Sequence, residues 1–300
     1  MSPTEGKNMP HKTSKKSFWP DGIRLVISIS MQFEAGGEPD AGAPSPLDGF
    51  QMRPGFRDYP TTTWYQYGVR EGIPRMLDLF GRYKVHTTSH MVGVAVEKAP
   101  KLAREIVERG HEAAAHGQTW TPQYDLDETA ERKFIADNVE VIKRAPGVSP
   151  KGYNCPAMRG TKNTLALLQE LGFTYHIDDV SSDEPFIVPV KAKDFVIVPY
   201  TINLNDIVQF ERYSFDTQGF EKQLYDEFDV LYEEATARRR MMSISLHDRI
   251  AGKPARVRML ERFLKYALKK RGVVFMRKDQ IAEIALSSAD TPRYESLYAS

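Results

Sequence analysis

Three hundred residues suffice for one large domain or two small ones, and 27% charged against 41% apolar side chains describe a globular chain. A net charge of +1 with no long basic block gives nucleic acid no footing, and a single cysteine, Cys155, excludes an internal disulfide. No apolar stretch approaches the ~20 residues that span a bilayer, so no membrane partner is expected.

Residues 1–17 are polar and lysine-rich, without the apolar core of a secretory signal. They read as a disordered tail before a single domain at 18–300, and a cytoplasmic enzyme is the expectation. The first strand is predicted at 24–31. The stretch 35–63 is rich in Gly, Pro and Asp, has no period, and reads as a long functional loop. A strand at 84–88 precedes a helix at 96–109, whose Ala99, Leu102, Ala103 and Ile106 share a face before Gly110 stops it. Next come a strand at 112–116 and a helix at 127–144, capped by Asp125 or Asp127 and stopped by Pro146-Gly147. Strands at 151–155, 173–178 and 195–202 enclose a helix at 163–171. Helices at 219–237 and 255–271 alternate with strands at 241–247 and 273–277. This alternation means a parallel sheet covered by helices. Seven or eight such units predict one α/β domain, a closed or nearly closed barrel, with the 35–63 loop over the C-terminal face.

Strand periodicity then makes specific claims. In 241–247, Ser243, Ser245 and His247 share one face, with Met242, Ile244 and Leu246 on the other. A first strand regular to its end puts Ser28, Ser30, Gln32 and Glu34 on one side. His116 ends a run of three alanines, with Gly117 and Trp120 beyond it. A carboxylate and two histidines at strand ends can add water to a carbonyl, so Glu34, His116 and His247 are the candidate catalytic set. His90 also falls at a strand end, whereas His86 and His111 precede theirs and read as structural. Beside His176, Asp178 and Asp179 read either as partners of a histidine or as loop caps. Cys155 precedes Pro156 and has no helix N-terminus to make it a nucleophile. Arg238-Arg239-Arg240 reads as a solvated helix end.

Gly110-His111-Glu112 leading to His116, Gly172-Phe173, and Ser245-Leu246-His247 together resemble the NodB-type polysaccharide deacetylases over about 18–286. The resemblance implies an α/β fold, an irregular (β/α) barrel of about seven strands and distorted TIM type, that hydrolyses carbon–nitrogen bonds other than peptide bonds. It also implies an Asp-Asp pair, a base and a metal ligand, where this chain has Glu34-Ala35. A second metal histidine is implied where this chain has Trp120, and an arginine where it has Asn154-Cys155-Pro156-Ala157, with Arg159 nearby as a replacement. The altered set, with Val198-Pro199-Tyr200-Thr201 and Asn205-Asp206, is similar to the branch holding metal-independent allantoinases and cyclic imide hydrolases.

The expected mechanism has Glu34 take a proton from water, His247 protonate the leaving nitrogen, and His116 bind the water or the oxyanion. Trp64, Tyr67 and Trp120 are expected to wall the pocket, with Asn154 and Arg159 as further substrate contacts. No cofactor is the first expectation. The alternative is one divalent metal, zinc or similar, on Glu34, His90 and His116. The substrate is a sugar amide or a small cyclic amide or imide, the latter opened as an allantoinase would. The branch also suggests a homo-oligomer. A non-catalytic carbohydrate- or metabolite-binding protein is the reading from another class.

Overall fold

A computed structural model of the chain describes residues 19–39, 43–45, 47, 52–53 and 55–295. The 1–17 tail and parts of the 35–63 loop lie outside the described residues. Among the described residues, nine strands form one sheet: β1 (Leu25–Phe33), β2 (Thr88–Met91), β3 (Glu112–Ala115), β4 (Gly152–Tyr153), β5 (Tyr175–His176), β6 (Phe186–Val190), β7 (Lys193–Ile197), β8 (Met241–His247) and β9 (Val273–Phe275). Their order is β6-β7-β5-β4-β3-β2-β1-β8, with β9 also paired to β1. Every pairing is parallel except the β6–β7 hairpin.

The barrel closes irregularly. The free edge of β8 meets the chain that follows β7 rather than another strand. Ser243 Oγ donates to the Pro199 carbonyl at 2.6 Å, and the Ser245 N–H donates to the Leu204 carbonyl at 2.9 Å. Most predicted elements fall where expected, with four physical departures. The 35–63 stretch is not loop to its end: the Tyr59–Tyr67 helix begins inside it, where the Asp58 side chain accepts from the Thr61 N–H. Pro100 splits the expected 96–109 helix into Gly93–Lys98 and Pro100–Glu108. Lys84, in the left-handed region (φ 53°), ends a helix at Tyr83, so β2 begins at Thr88, four residues after the expected start, and includes His90. The hairpin strand β6 holds Pro189, which a sheet accepts at its edge.

Two cores result from the period of two along β1. Leu25, Ile27, Ile29, Met31 and Phe33 face outward onto the helices, joined by Met242, Ile244 and Leu246 of β8. Each such side chain contributes roughly 1.5–3 kcal/mol when fully buried. A smaller core of Val26, Tyr175, Ile187, Val196 and Met241 is covered by Ile281 and Ala285 of the Lys278–Ser287 helix. Arg239 and Arg240 are buried here rather than solvated: Arg239 pairs with Asp290 at 2.7 Å, and Arg240 Nε with Glu234 at 2.6 Å. No described helix is long and apolar enough to cross a membrane.

Candidate active site

The polar face predicted for β1 and β8 is present and in register: Ser28 faces Ser243, Ser30 faces Ser245, and Gln32 faces His247. Parallel pairing therefore brings Glu34, one step beyond Gln32, to the same strand ends as His247. His116 follows β3, and Gly117 (φ +74°) turns the chain there. A Cβ on Gly117 would lie 2.4 Å from the Phe134 ring, so only glycine fits this turn.

Glu34 lies at the centre of the site and is 1% exposed. Its Oε1 is 3.3 Å from His116 Nε2 and 3.5 Å from His247 Nε2. Its Oε2 accepts from Arg249 Nη1 at 2.7 Å. Burial acts to raise its pKa, but the charges of His247 and Arg249 and the bond from His247 outweigh it. They hold the carboxyl well below the usual carboxylate range.

His247 is bound from behind. Its Nδ1 is 2.6 Å from Asp206 Oδ1, and its backbone N–H donates to Asp206 Oδ2 at 2.8 Å. Burial disfavours the charged ring, but Glu34 and Asp206 push it up to about 9, so His247 is an imidazolium at neutral pH. His116 is fixed in the other sense. Its Nδ1 is 2.7 Å from the Asn154 carbonyl, which can only accept, so Nδ1 carries a proton and Nε2 faces Glu34. The site thus holds one proton donor and one ionised carboxylate, with Nε2 of His116 beside it.

Arg249 and Asp248 continue the chain directly from His247. Arg249 is fully buried, its Cζ 4.8, 4.3 and 5.7 Å from the ring centroids of Trp64, Tyr65 and Trp120. Asp248 Oδ2 accepts from the backbone N–H groups of Glu34 (3.0 Å) and Ala35 (2.8 Å), which fixes the chain as it leaves β1. Gly68 lies against this carboxylate; a Cβ there would sit 2.6 Å from Asp248 Cγ.

Glu34, His116 and His247 line a cavity of about 340 Å³, with Trp64, Trp120, Asn154 and Arg159 of the expected set. Pro44 and Ser45, from the 35–63 stretch, also line it. Tyr67 does not. Its hydroxyl accepts from Arg75 at 2.7 Å, and Lys253 Nζ lies 3.3 Å from its ring centroid. Arg159 sits on the exposed rim, and the guanidinium on Glu34 comes from Arg249 instead. His90 is buried beside His116, ring centroids 6.3 Å apart, and burial keeps it uncharged. Among the described residues, three metal-type donors come within 4.8 Å of one another only at Cys155, His176 and Asp178, so Glu34, His90 and His116 do not converge. Sequence reasoning missed Arg249, Asp248 and the part played by Asp206. The charged pair immediately after His247 was the available signal for the first two.

Comparison with known proteins agrees with this geometry. Residues 60–176 match the polysaccharide deacetylase family model. A Schizosaccharomyces pombe protein carrying a polysaccharide deacetylase name is 30% identical, over 88% of this chain and 91% of its own. The chain belongs to the polysaccharide deacetylase family. A crystal structure of a family protein from Pseudomonas aeruginosa PAO1 is 33% identical, with a TM-score of 0.85 over 95% of this chain and 96% of that one. The crystal structure of Puue allantoinase gives the same TM-score of 0.85 at 31% identity, over 95% and 96% of the two chains. The family member described here is a hydrolase of carbon–nitrogen bonds other than peptide bonds, on the irregular α/β barrel of its relatives.

Proposed function

We propose that this member opens a small cyclic amide, imide or ureide, and that the centre at Glu34 works without a metal ion. The pairing of Glu34 with Arg249 carries the reading. A divalent cation beside Glu34 would face a buried guanidinium 2.7 Å from that carboxylate. Neighbouring positions do not supply the ligands either: Ala35 offers a methyl group, and the Trp120 indole donates but has no lone pair to give. The family's metal therefore does not fit these residues, and the chemistry is derived from the side chains alone.

Water bonded from the cavity side to both Glu34 Oε1 and His116 Nε2, which lie 3.3 Å apart, attacks the carbonyl carbon, and the proton it loses passes to that pair. The carbonyl π pair moves to oxygen, forming a tetrahedral intermediate. Collapse breaks the C–N bond, and His247 Nε2 delivers its proton to the leaving nitrogen. Positioned proton transfer of this kind contributes ~10²–10⁴-fold per group. Oxyanion stabilisation falls to Arg159 on the cavity rim, because the nearby backbone N–H groups of Cys155, Met158 and Arg159 already donate to Asp178, Cys155 and Pro156.

Substrate size and reactivity support the cyclic amide. A cavity of about 340 Å³, walled by Trp64, Trp120 and Tyr200, is of the size that takes a small molecule. Without a Lewis acid the carbonyl must be reactive by itself, as in an electron-poor ring. The likeness to an allantoinase along almost the whole chain points the same way. An N-acyl sugar is the second reading, favoured by the family's name. Chelator-treated protein offered allantoin, hydantoins, cyclic imides and N-acetyl sugars separates the two. Ring opening that resists chelation is expected. Deacetylation alone, or turnover that returns only with added metal, would overturn the proposal.

A further inference from the structure

Cys155, His176 and Asp178 lie side by side at the barrel wall, all three buried. Cys155 Sγ is 3.6 Å from His176 Nε2, and Asp178 Oδ2 is 3.0 Å from the same nitrogen. A nucleophilic triad would use both ring nitrogens of the histidine, one for the nucleophile and one for the carboxylate. Here sulfur and oxygen converge on one nitrogen, and a single proton on Nε2 cannot serve both. Burial and the Asp178 charge also push the thiol well above its ordinary range, so it is no nucleophile.

Three donors converging on one point is the arrangement of ligands around a cation. Tetrahedral zinc, with bonds of about 2.3 Å to sulfur and about 2.1 Å to nitrogen, holds those two donors about 3.6 Å apart. The observed Sγ to Nε2 distance is 3.6 Å. Asp178 is already held in place: its Oδ1 accepts from Asn154 Nδ2 at 2.6 Å, and its Oδ2, 3.0 Å from His176 Nε2, also accepts from the Cys155 N–H at 3.1 Å. Cys155 and Asn154 both line the active-site cavity, which puts the Cys155 end of the trio beside the substrate space.

We propose that Cys155, His176 and Asp178 bind one thiophilic divalent cation, with Zn²⁺ as the type, at a site separate from Glu34, and that occupancy inhibits the enzyme. Binding releases the thiol proton to solvent, and the His176 proton moves from Nε2 to Nδ1, so that the ring binds the cation through the Nε2 lone pair. No electron is transferred. Inhibition follows from position: Asp178 holds Asn154, and the Asn154 carbonyl fixes the proton on His116 Nδ1. Only the inhibition rests on the function proposed above, and the binding does not.

The test titrates the metal-free full chain with Co²⁺, then Zn²⁺. One equivalent of Co²⁺ should produce a thiolate-to-cobalt charge-transfer band in the near ultraviolet, bleached by Zn²⁺. The chain has one cysteine, so any such band reports Cys155. The band should vanish in Cys155→Ser and weaken at least tenfold in apparent affinity in Asp178→Asn, yet persist in Glu34→Gln. Zn²⁺ should lower turnover of the unmodified chain but not that of Cys155→Ser. Cobalt binding without a sulfur band, or no binding at one equivalent, overturns the site. A band lost in Glu34→Gln moves the site to the catalytic centre and overturns it equally. If a variant fails to show a normal unfolding transition, the band in the unmodified chain still decides.

Discussion

The Arg249 guanidinium donates to Glu34 Oε2 at 2.7 Å while Oε1 faces two histidines, so the two oxygens of one carboxylate have separate tasks. One is bound to a cation that never deprotonates, and the other is presented to the reaction. The three aromatic rings around Arg249 cage that charge without competing for Glu34. Asp248 helps from the same turn, 3.3 Å from Arg249 Nη1.

Replacing Arg249 with Met should therefore lower kcat by at least ~10², because Glu34 loses both its position and its charge partner. The pH profile distinguishes this from a merely structural effect. The acid limb should move up toward the ordinary carboxylate range, since Arg249 is one of the charges that depress Glu34. Arg249→Lys should recover part of both. A pH profile with an unmoved acid limb would sink the idea.

Glu34→Gln should remove turnover by ~10²–10⁴-fold. It should also cost stability, because it strips a fully buried guanidinium of its principal anion. Breaking such a pair costs about 3–5 kcal/mol, the lower end applying here because Asp248 remains. Urea unfolding measures this, and an unchanged midpoint would show that Glu34 and Arg249 do not depend on each other.

The pH dependence follows from two groups shifted in opposite directions. Glu34 is ionised from well below the usual range, and His247 stays protonated up to about 9. Turnover should be flat through neutral pH and fall as pH rises through about 9. Stability follows the same signs. The raised His247 contributes stability that is complete below ~6.5 and lost as pH rises through its folded value. The depressed Glu34 contributes stability present above ~4.3 and lost on acidification. Asp206→Asn removes one of the charges that raise His247, so the alkaline limb should shift to lower pH. The loss in kcat/KM should be larger at pH 8 than at pH 6.

Gly68→Ala places a methyl group 2.6 Å from Asp248 Cγ, the carboxylate that fixes the Glu34-Ala35 backbone. Its φ of −54° is ordinary helix, so any loss comes from contact and not from backbone strain. Overpacking here should cost about 1–3 kcal/mol and lower kcat. Activity equal to that of the unmodified chain would show that the Asp248 clamp can yield without moving Glu34.

Much of the site was legible in the sequence because strands have a period of two. Ser28, Ser30 and Gln32 follow from that period, as do Ser243, Ser245 and His247, and parallel pairing puts them together. Glu34 and His116 stood out because each closes an apolar run. Helix ends were legible where a cap acts locally: the Asp127 side chain accepts from the Ala130 N–H at 2.8 Å. The family resemblance added the reaction type and pointed to the replaced residues, Ala35 and Trp120.

What the sequence could not settle depends on contacts between distant residues. Periodicity places Arg249 after a strand, but only the packing of the Trp64, Tyr65 and Trp120 rings directs its guanidinium back to Glu34, 215 residues away. Trp64 and Tyr67 lie almost one turn apart in the Tyr59–Tyr67 helix, so its period gives them a common face, and only the surrounding packing sends Trp64 to the cavity and Tyr67 to Arg75. Asp206 reaches His247 only because an irregular segment closes the barrel along β8, a path no local period encodes. Local pattern determined which residues share a face. Tertiary packing decided which charges meet, because ion pairs and hydrogen bonds act over a few ångströms and carry no signal along the chain.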